Sequence, residues 1–277
     1  MRLGLGLGGQ GLDARGLIEQ ARAHGVSGLL LDVSEVRKQT IADWHRLLAE
    51  SGLEVVQVGG WAYNPLRPTP ETEAIARDAL AAAADLGAPC IIMGGGTKNP
   101  NHSFCGHPDN FTDAAISEAA ASLKSLARDA EEVGVLVTLE IHFATVLCDW
   151  AACRKLIEEI ASPAVKINLD AANMIRYSDY WSSSDYIRAG IESLGAMIQT
   201  CHAKDVVMHD ALHLHMDECP AGEGCLNYAD IIALIDAHLP ADTYMVVEHT
   251  PLTKLPAAMA YIRDSAAQAG VAIVRAI

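Results

Sequence analysis

The sequence contains few of the features that mark a membrane protein, a disulfide-stabilised protein or a nucleic-acid binder. No apolar run reaches the roughly 18 residues of a membrane-spanning helix, so we expect no membrane contact. The seven cysteines form no C-x-x-C pair and have no framework spacing, which is typical of a reduced, cytoplasmic protein. The 20 lysine and arginine residues form no cluster, and 35 aspartate and glutamate residues bring the net charge to −15. Because nucleic-acid binders depend on basic contacts to phosphate, this composition argues against a nucleic-acid partner.

The sequence does contain a regular alternation of short apolar runs and helical segments. Eight strand-like runs alternate with eight segments of helical periodicity along the 277 residues. The runs are continuously apolar, which is typical of parallel strands buried on both faces. A doubly wound open sheet is the nearest alternative, but no G-x-G-x-x-G motif opens a helix after the first strand. The pattern therefore predicts an α/β fold, a single (β/α)8 TIM barrel. We expect residues 1–277 to form one domain with its active site at the carboxyl ends of the strands.

Four of the strand-like runs end in a side chain that can bind a metal ion. The run V-T-L-E ends at Glu140, and the next three runs end at Asp170, His202 and Glu248. These are the fifth to eighth strands of the predicted barrel, so their carboxyl ends are neighbours and the side chains can converge. Three carboxylates and one imidazole suit a divalent cation; we expect Mn²⁺ first, with Mg²⁺, Co²⁺ or Zn²⁺ as alternatives. The competing interpretation is a structural ion-pair network of these carboxylates with the cations Lys166, Lys204 and Arg176.

Other residues near the strand ends are candidates for substrate contact. His142 has the parity of an inward-facing strand position and should reach the barrel mouth, either to contact a substrate or to position a neighbour. Tyr63 and Trp181 are predicted to wall a sugar face, and packing in a lid is the alternative for both. His215 lies in a long loop predicted over residues 204–226, where a substrate contact competes with an exposed position.

Seven short motifs stand in a fixed order along the chain: Y-N-P at 63–65, H-P-D-N-F at 107–111, L-E-I-H at 139–142, N-L-D-A-A-N at 168–173, C-H-A-K-D at 201–205, A-G-E-G at 221–224 and V-E-H at 247–249. Their order and spacing resemble the xylose isomerase-like barrel superfamily of sugar isomerases and epimerases, inosose dehydratases and the endonuclease IV group. The resemblance covers nearly the whole chain. It implies metal binding at Glu140, Asp170, His202 and Glu248, with the two glutamates also serving as acid and base.

The resemblance implies a metal-dependent isomerase or epimerase acting on a sugar, a sugar acid or an inositol. Such an enzyme moves a proton through an enediolate whose charge the metal stabilises. The alternative is a lyase, that is a dehydratase or decarboxylase, acting on a keto sugar acid or an inosose. Further alternatives are an AP endonuclease-type phosphodiesterase and a sugar-binding barrel without turnover. The implied partner is a small-molecule carbohydrate, and the implied assembly is a homodimer or homotetramer.

Two positions depart from the pattern of that superfamily. Asn173 stands where many members carry a histidine, and an amide can hydrogen-bond a sugar hydroxyl but is a poor metal ligand or base. Because the three-zinc cluster of endonuclease IV needs that histidine, we expect one divalent cation. No arginine follows shortly after His202, where ketose 3-epimerases place one, which argues against a standard free-ketose epimerase. Lys204, two residues after His202, is a further candidate for substrate contact.

Overall fold

The computed structural model describes residues 1–102 and 104–274, which form a closed barrel of eight parallel strands with helices around it. The described residues form ten strands, of which eight build the barrel. They are β1 (Arg2–Gly6), β2 (Gly28–Asp32), β3 (Glu54–Gly59), β4 (Cys90–Gly94), β5 (Leu136–Glu140), β6 (Val165–Asp170), β7 (Ile198–Ala203), β8 (Asp205–His209), β9 (His215–Cys219) and β10 (Tyr244–Glu248). Around the barrel the order is β1, β10, β7, β6, β5, β4, β3, β2, while β8 and β9 form a separate pair. This arrangement confirms the predicted (β/α)8 barrel.

The helices cover the outside of the barrel, and local sequence signals set where they begin. They are α1 (Ala14–Ala23), α2 (Val33–Val36), α3 (Ile41–Ser51), α4 (Pro70–Leu86), α5 (Asp113–Val133), α6 (Trp150–Ile160), α7 (Ser183–Leu194), α8 (Tyr228–His238) and α9 (Leu255–Gln268). Asp13, Thr69 and Thr112 cap α1, α4 and α5, because each side chain accepts a hydrogen bond from a backbone N–H in the first turn. No helix of the described residues has both the length and the apolar character needed to cross a membrane.

Two bulges turn polar side chains into the barrel. The pairing of β3 with β2 skips Val56, and the pairing of β7 with β6 skips Gln199. A bulge re-aims the side chains that follow it. Gln57, Asn168 and Thr200 consequently meet inside the barrel, where all three are buried and linked by hydrogen bonds. This polar layer lies beneath the carboxyl ends of β5 to β7.

The segment after β7 differs from the loop predicted over residues 204–226. It contains an antiparallel hairpin in which β8 pairs with β9, and His209 lies opposite His215. The turn between the strands has none of the Asn-Gly or Asp-Gly signals that mark a hairpin in a sequence. Asp205 anchors the hairpin, because its carboxylate accepts hydrogen bonds from the backbone N–H groups of Gly222 and Leu226 at 3.1 and 3.0 Å.

Candidate metal centre and active site

The carboxyl ends of four adjacent strands bring the four predicted ligands together. Each residue offers one ligand atom, and these atoms all lie within 4.8 Å of one another. Their exposed fractions are 4% or less, so the side chains converge in a buried space. Strand register explains part of this convergence, because Asp170 lies directly opposite His202 across β6 and β7. We call the set the ligand cluster; its members are Glu140, Asp170, His202 and Glu248.

The imidazole of His202 is oriented from both sides. Its Nδ1 lies 3.1 Å from Glu140 Oε1 and 3.0 Å from Glu248 Oε1, while its Nε2 lies 3.0 Å from Gln57 Oε1. The Gln57 amide is itself fixed, because its Nε2 donates to Thr200 Oγ1 at 2.9 Å. The amide oxygen must therefore accept from His202, which places a proton on Nε2. The Nδ1 atom then faces the carboxylates, where a cation would find its lone pair.

Lys204 adds one buried positive charge to the cluster. Its Nζ lies 2.8 Å from Glu248 Oε1, 3.1 Å from Asp170 Oδ2 and 3.8 Å from Glu140 Oε1, and the side chain is 3% exposed. The competing ion-pair interpretation thus holds for this one cation. Two others lie elsewhere: Lys166 Nζ donates to the Ala196 carbonyl, and Arg176 pairs with Asp179.

The ligand cluster retains negative charge and carboxylate oxygens that could bind a divalent cation. Three carboxylates and one ammonium leave a net negative charge in a buried space. Asp170 Oδ2 and Glu248 Oε1 are buried and make no hydrogen bond of good geometry with any described residue, although Lys204 Nζ lies near both. Buried acceptors that lack a well-aligned hydrogen bond are costly, and a divalent cation would satisfy them. Three carboxylates and one imidazole also form a donor set that Mn²⁺, Mg²⁺, Co²⁺ or Zn²⁺ accepts.

Burial and charge shift the pKa values of the cluster in different directions. Burial raises the pKa of Asp170 to about 7, although Lys204 favours its carboxylate form. Burial lowers the pKa of His202, but the charges of Glu248 and Glu140 outweigh it and raise that pKa to about 10. Burial opposes the charge on Glu248, yet His202 and Lys204 hold its pKa well below the usual range. The cluster therefore binds a proton on His202 at neutral pH, and a metal ion would compete with that proton.

A cavity of about 510 Å³ lies beside the ligand cluster. The Asn173 backbone N–H donates to Asp170 Oδ1 of the cluster at 3.0 Å, and Glu218 Oε2 on β9 lies 3.3 Å from the Nζ of Lys204, which itself contacts the cluster. The volume is in the range of small-molecule sites. The lining comes from the loops after β5 and β6 and from the hairpin region, and comprises His142, Phe143, Ala172, Asn173, Ile175, Arg176, Tyr177, Asp205, Val206, Met216 and Glu218.

Of the remaining residues predicted to contact substrate, some line the cavity, some are exposed at the surface, and one is buried away from the cluster. His142 and Asn173 line the cavity. Trp181 is 74% exposed, and His215 is exposed on β9, where its Nε2 bonds to Asp217. The structure does not bring Tyr63 to the ligand cluster, because that side chain is buried and its hydroxyl donates to the Ser122 carbonyl of α5 at 3.3 Å. It packs between the barrel and its helices rather than over the mouth.

Two residues without a predicted role also belong to this region. Gln57 orients His202, and its polar side chain within the apolar run V-V-Q-V was a usable signal. Glu218 contacts Lys204 with one carboxylate oxygen, and its Oε1 lies 2.9 Å from His249 Nδ1. No sequence signal pointed to Glu218, because its position depends on a hairpin that the sequence does not reveal.

Comparison with known families agrees with this fold. Residues 18–265 match the family model described as xylose isomerase-like TIM barrel. The chain belongs to this family. A search of the curated proteins found no match.

Solved structures of similar fold are distant in sequence. The probable 3-DHS dehydratase AsbF from Bacillus anthracis, involved in petrobactin synthesis, is 17% identical, with a TM-score of 0.73 over 95% of this chain and 98% of that chain. The 3-keto-D-glucoside 4-epimerase YcjR from E. coli is 18% identical, with a TM-score of 0.73 over 95% and 99%. A xylose isomerase-like barrel from Mycobacterium smegmatis, in complex with magnesium, is 14% identical, with a TM-score of 0.71 over 96% and 95%. At these identities the likeness establishes the fold.

Proposed function

We propose that this protein is a divalent-metal-dependent isomerase or epimerase that acts on a small-molecule carbohydrate. The observation that carries the proposal is the pair of buried glutamates, Glu140 and Glu248, whose carboxylates lie 3.1 and 3.0 Å from the same nitrogen of His202. Two carboxylates at one site can serve as the base and the acid of a proton transfer. The cytoplasmic location and the homodimer or homotetramer stay predictions from sequence.

The four residues of the ligand cluster would hold one cation. When bound, it would polarise a carbonyl oxygen and so lower the cost of an enediolate. One of the two glutamates removes the proton on the carbon next to the carbonyl, and the other returns a proton to the same or the neighbouring carbon. Lys204 stays protonated, because the surrounding carboxylates outweigh its burial and raise its pKa well above the usual value, and its ammonium helps to hold Asp170 and Glu248 in place.

A lyase is the second candidate, and the closeness of the two glutamates also favours it. Loss of a hydroxyl from an enediolate requires a proton for the departing oxygen. The glutamate that has taken the substrate proton can supply it, because Glu140 and Glu248 lie 3.1 and 3.0 Å from the same nitrogen of His202. The same site then serves elimination on a keto sugar acid or an inosose.

The first prediction tests both glutamates. We expect Glu140→Gln and Glu248→Gln each to lower turnover by about 10²-fold or more, the usual scale for a lost acid or base. NMR measures this turnover as the incorporation of solvent deuterium into keto sugars, inososes and keto sugar acids in the presence of Mn²⁺. The same spectra separate isomerisation from loss of water or carbon dioxide.

Glu223→Gln is the matched control, since Glu223 pairs with Lys254 at the surface. It should retain full exchange. Full exchange in either cluster variant, or a wild-type protein that binds no divalent cation, would overturn the proposal. Circular dichroism of each variant checks that the fold is retained.

A further inference from the structure

The cavity beside the ligand cluster has two ends of different chemistry. His142, Asn173 and Glu218 form the end that borders the cluster. The rest of the wall is mainly apolar, and we call it the apolar wall; its members are Phe143, Ala172, Ile175, Tyr177, Val206 and Met216. A wall of this kind offers few hydrogen bonds to the hydroxyl groups of a bare sugar. It instead favours an apolar group on the ligand, whose transfer out of water is favourable.

Exposed apolar side chains continue this wall at the barrel mouth. Phe143, Tyr177 and Leu214 are 38%, 49% and 41% exposed. The Tyr177 hydroxyl donates to the Leu214 carbonyl at 2.9 Å, which joins the loop after β6 to the hairpin turn. Trp181, in the segment between β6 and α7, is 74% exposed. Clustered exposed apolar groups at a cavity entrance are typical of a ligand-binding surface.

The charges in the cavity argue against an anionic ligand. Arg176 is its one cationic lining residue among those described, and it is bound to Asp179 at 2.9 Å. Lys204 nearby is already surrounded by four carboxylates. Glu218 and Asp205 are the other charged lining residues. A phosphate or carboxylate on the substrate would therefore meet negative charge and no uncommitted cation in this part of the site.

We propose that the substrate is a neutral keto sugar carrying an apolar substituent, such as an aryl or alkyl glycoside with a carbonyl on its ring, and this inference rests on the proposed function. The sugar part lies at the polar end, next to the ligand cluster. The substituent lies against the apolar wall, where its removal from water contributes to binding. Within the isomerase or epimerase class, these charges argue against sugar phosphates and sugar acids, and the apolar wall disfavours small free sugars.

Matched ligand pairs test the inference on the full-length protein loaded with Mn²⁺. Isothermal titration calorimetry would compare methyl and phenyl β-D-glycosides of glucose, galactose, mannose and xylose, with phenyl β-D-glucuronide as the anionic analogue. In at least one pair we expect the phenyl glycoside to bind about 10-fold more tightly, because a buried aromatic ring contributes roughly that much. The glucuronide should bind more weakly than phenyl glucoside.

Variants assign the effect to the apolar wall. Met216→Gln and Phe143→Ser should reduce the preference for phenyl over methyl to about 2-fold or less, since both side chains line the cavity. Both are partly exposed, so the fold tolerates the changes. Val133→Ser is the control: Val133 is 48% exposed at the end of α5, outside the cavity lining, and its variant should keep the preference.

The outcomes separate this inference from the proposed function. Equal affinities within every pair, tighter binding of the glucuronide, or no binding of any glycoside would overturn the inference, even in a protein that binds Mn²⁺ and exchanges deuterium into other carbohydrates. Failure of the proposed function is a different result, since it appears as absence of metal binding or of deuterium exchange in any carbohydrate.

Discussion

At the scale of single residues, the hydrogen-bond partners of His202 set the orientation and the tautomer of its imidazole. The imidazole lies between carboxylates on its Nδ1 side and the amide oxygen of Gln57 on its Nε2 side. Partners of this kind set the tautomer and the ring orientation of a histidine that binds metal. The cluster therefore depends on a side chain that would not itself touch the metal.

At this scale we predict that Gln57→Leu weakens metal binding by about 10- to 100-fold, because the Nε2–H of His202 loses its acceptor. Calorimetric titration with Mn²⁺ measures the change. Gln39→Leu, at an exposed position, is the control and should bind as the wild type does. Unchanged affinity in a folded Gln57→Leu protein would show that Gln57 does not orient the ligand.

At the scale of elements, the hairpin of β8 and β9 completes the site. It contributes Val206, Met216 and Glu218 to the cavity. Contacts distant in sequence hold it in place, among them the bond from the Met208 N–H to the Tyr180 hydroxyl at 3.2 Å and the pair between Glu218 and His249. The hairpin is thus positioned by the loops around it rather than by its own turn.

We predict that Gly224→Ala displaces the base of the hairpin. A Cβ at this position would lie 2.3 Å from Asp205 Oδ1 and 2.4 Å from the Val206 carbonyl oxygen, so the anchor must move. We expect a loss of about 1–3 kcal/mol in the free energy of unfolding, which is usual for overpacking, with faster proteolysis in the hairpin turn. Thermal unfolding and limited proteolysis measure both effects.

Gly8→Ala is the matched control for this prediction. A Cβ at Gly8 would meet only Glu35 Oε1, at 3.9 Å. Its stability should therefore change little. Wild-type stability and cleavage in Gly224→Ala would contradict the anchoring role of Asp205.

At the scale of the whole molecule, metal binding is linked to protons and to folding. His202, with a pKa of about 10, must lose a proton when it binds a cation. Asp170 has a pKa of about 7, so below that pH it must lose a proton as well. A cation that binds only the folded chain also raises its stability. The negative charge collected at one end of the barrel thus couples pH, metal and fold.

The resulting prediction concerns pH. Between about pH 7 and 10, the logarithm of the Mn²⁺ association constant should rise by about one per pH unit, because one proton leaves His202. Below about pH 7 the slope should approach two, since Asp170 also releases a proton. Titrations in buffers of different ionisation enthalpy count the protons released. A pH-independent constant would contradict this linkage.

The sequence by itself determined the barrel and most of the candidate metal centre. Strand and helix periodicity are local properties, and parallel strands in a closed barrel place their carboxyl ends on one rim. Four strand-end residues were therefore sufficient to predict that Glu140, Asp170, His202 and Glu248 converge. Their metal and catalytic roles stay proposals.

Only the tertiary structure decided which other side chains join that cluster. Gln57 meets His202 across 145 residues of sequence, and Glu218 reaches Lys204 from a hairpin without a turn signal. Tyr63 follows a strand end but packs against α5 instead. Such contacts depend on bulges and on packing between distant segments, which local periodicity does not encode. The apolar wall of the cavity likewise comes from three segments that are separated in the sequence and meet only in the folded chain.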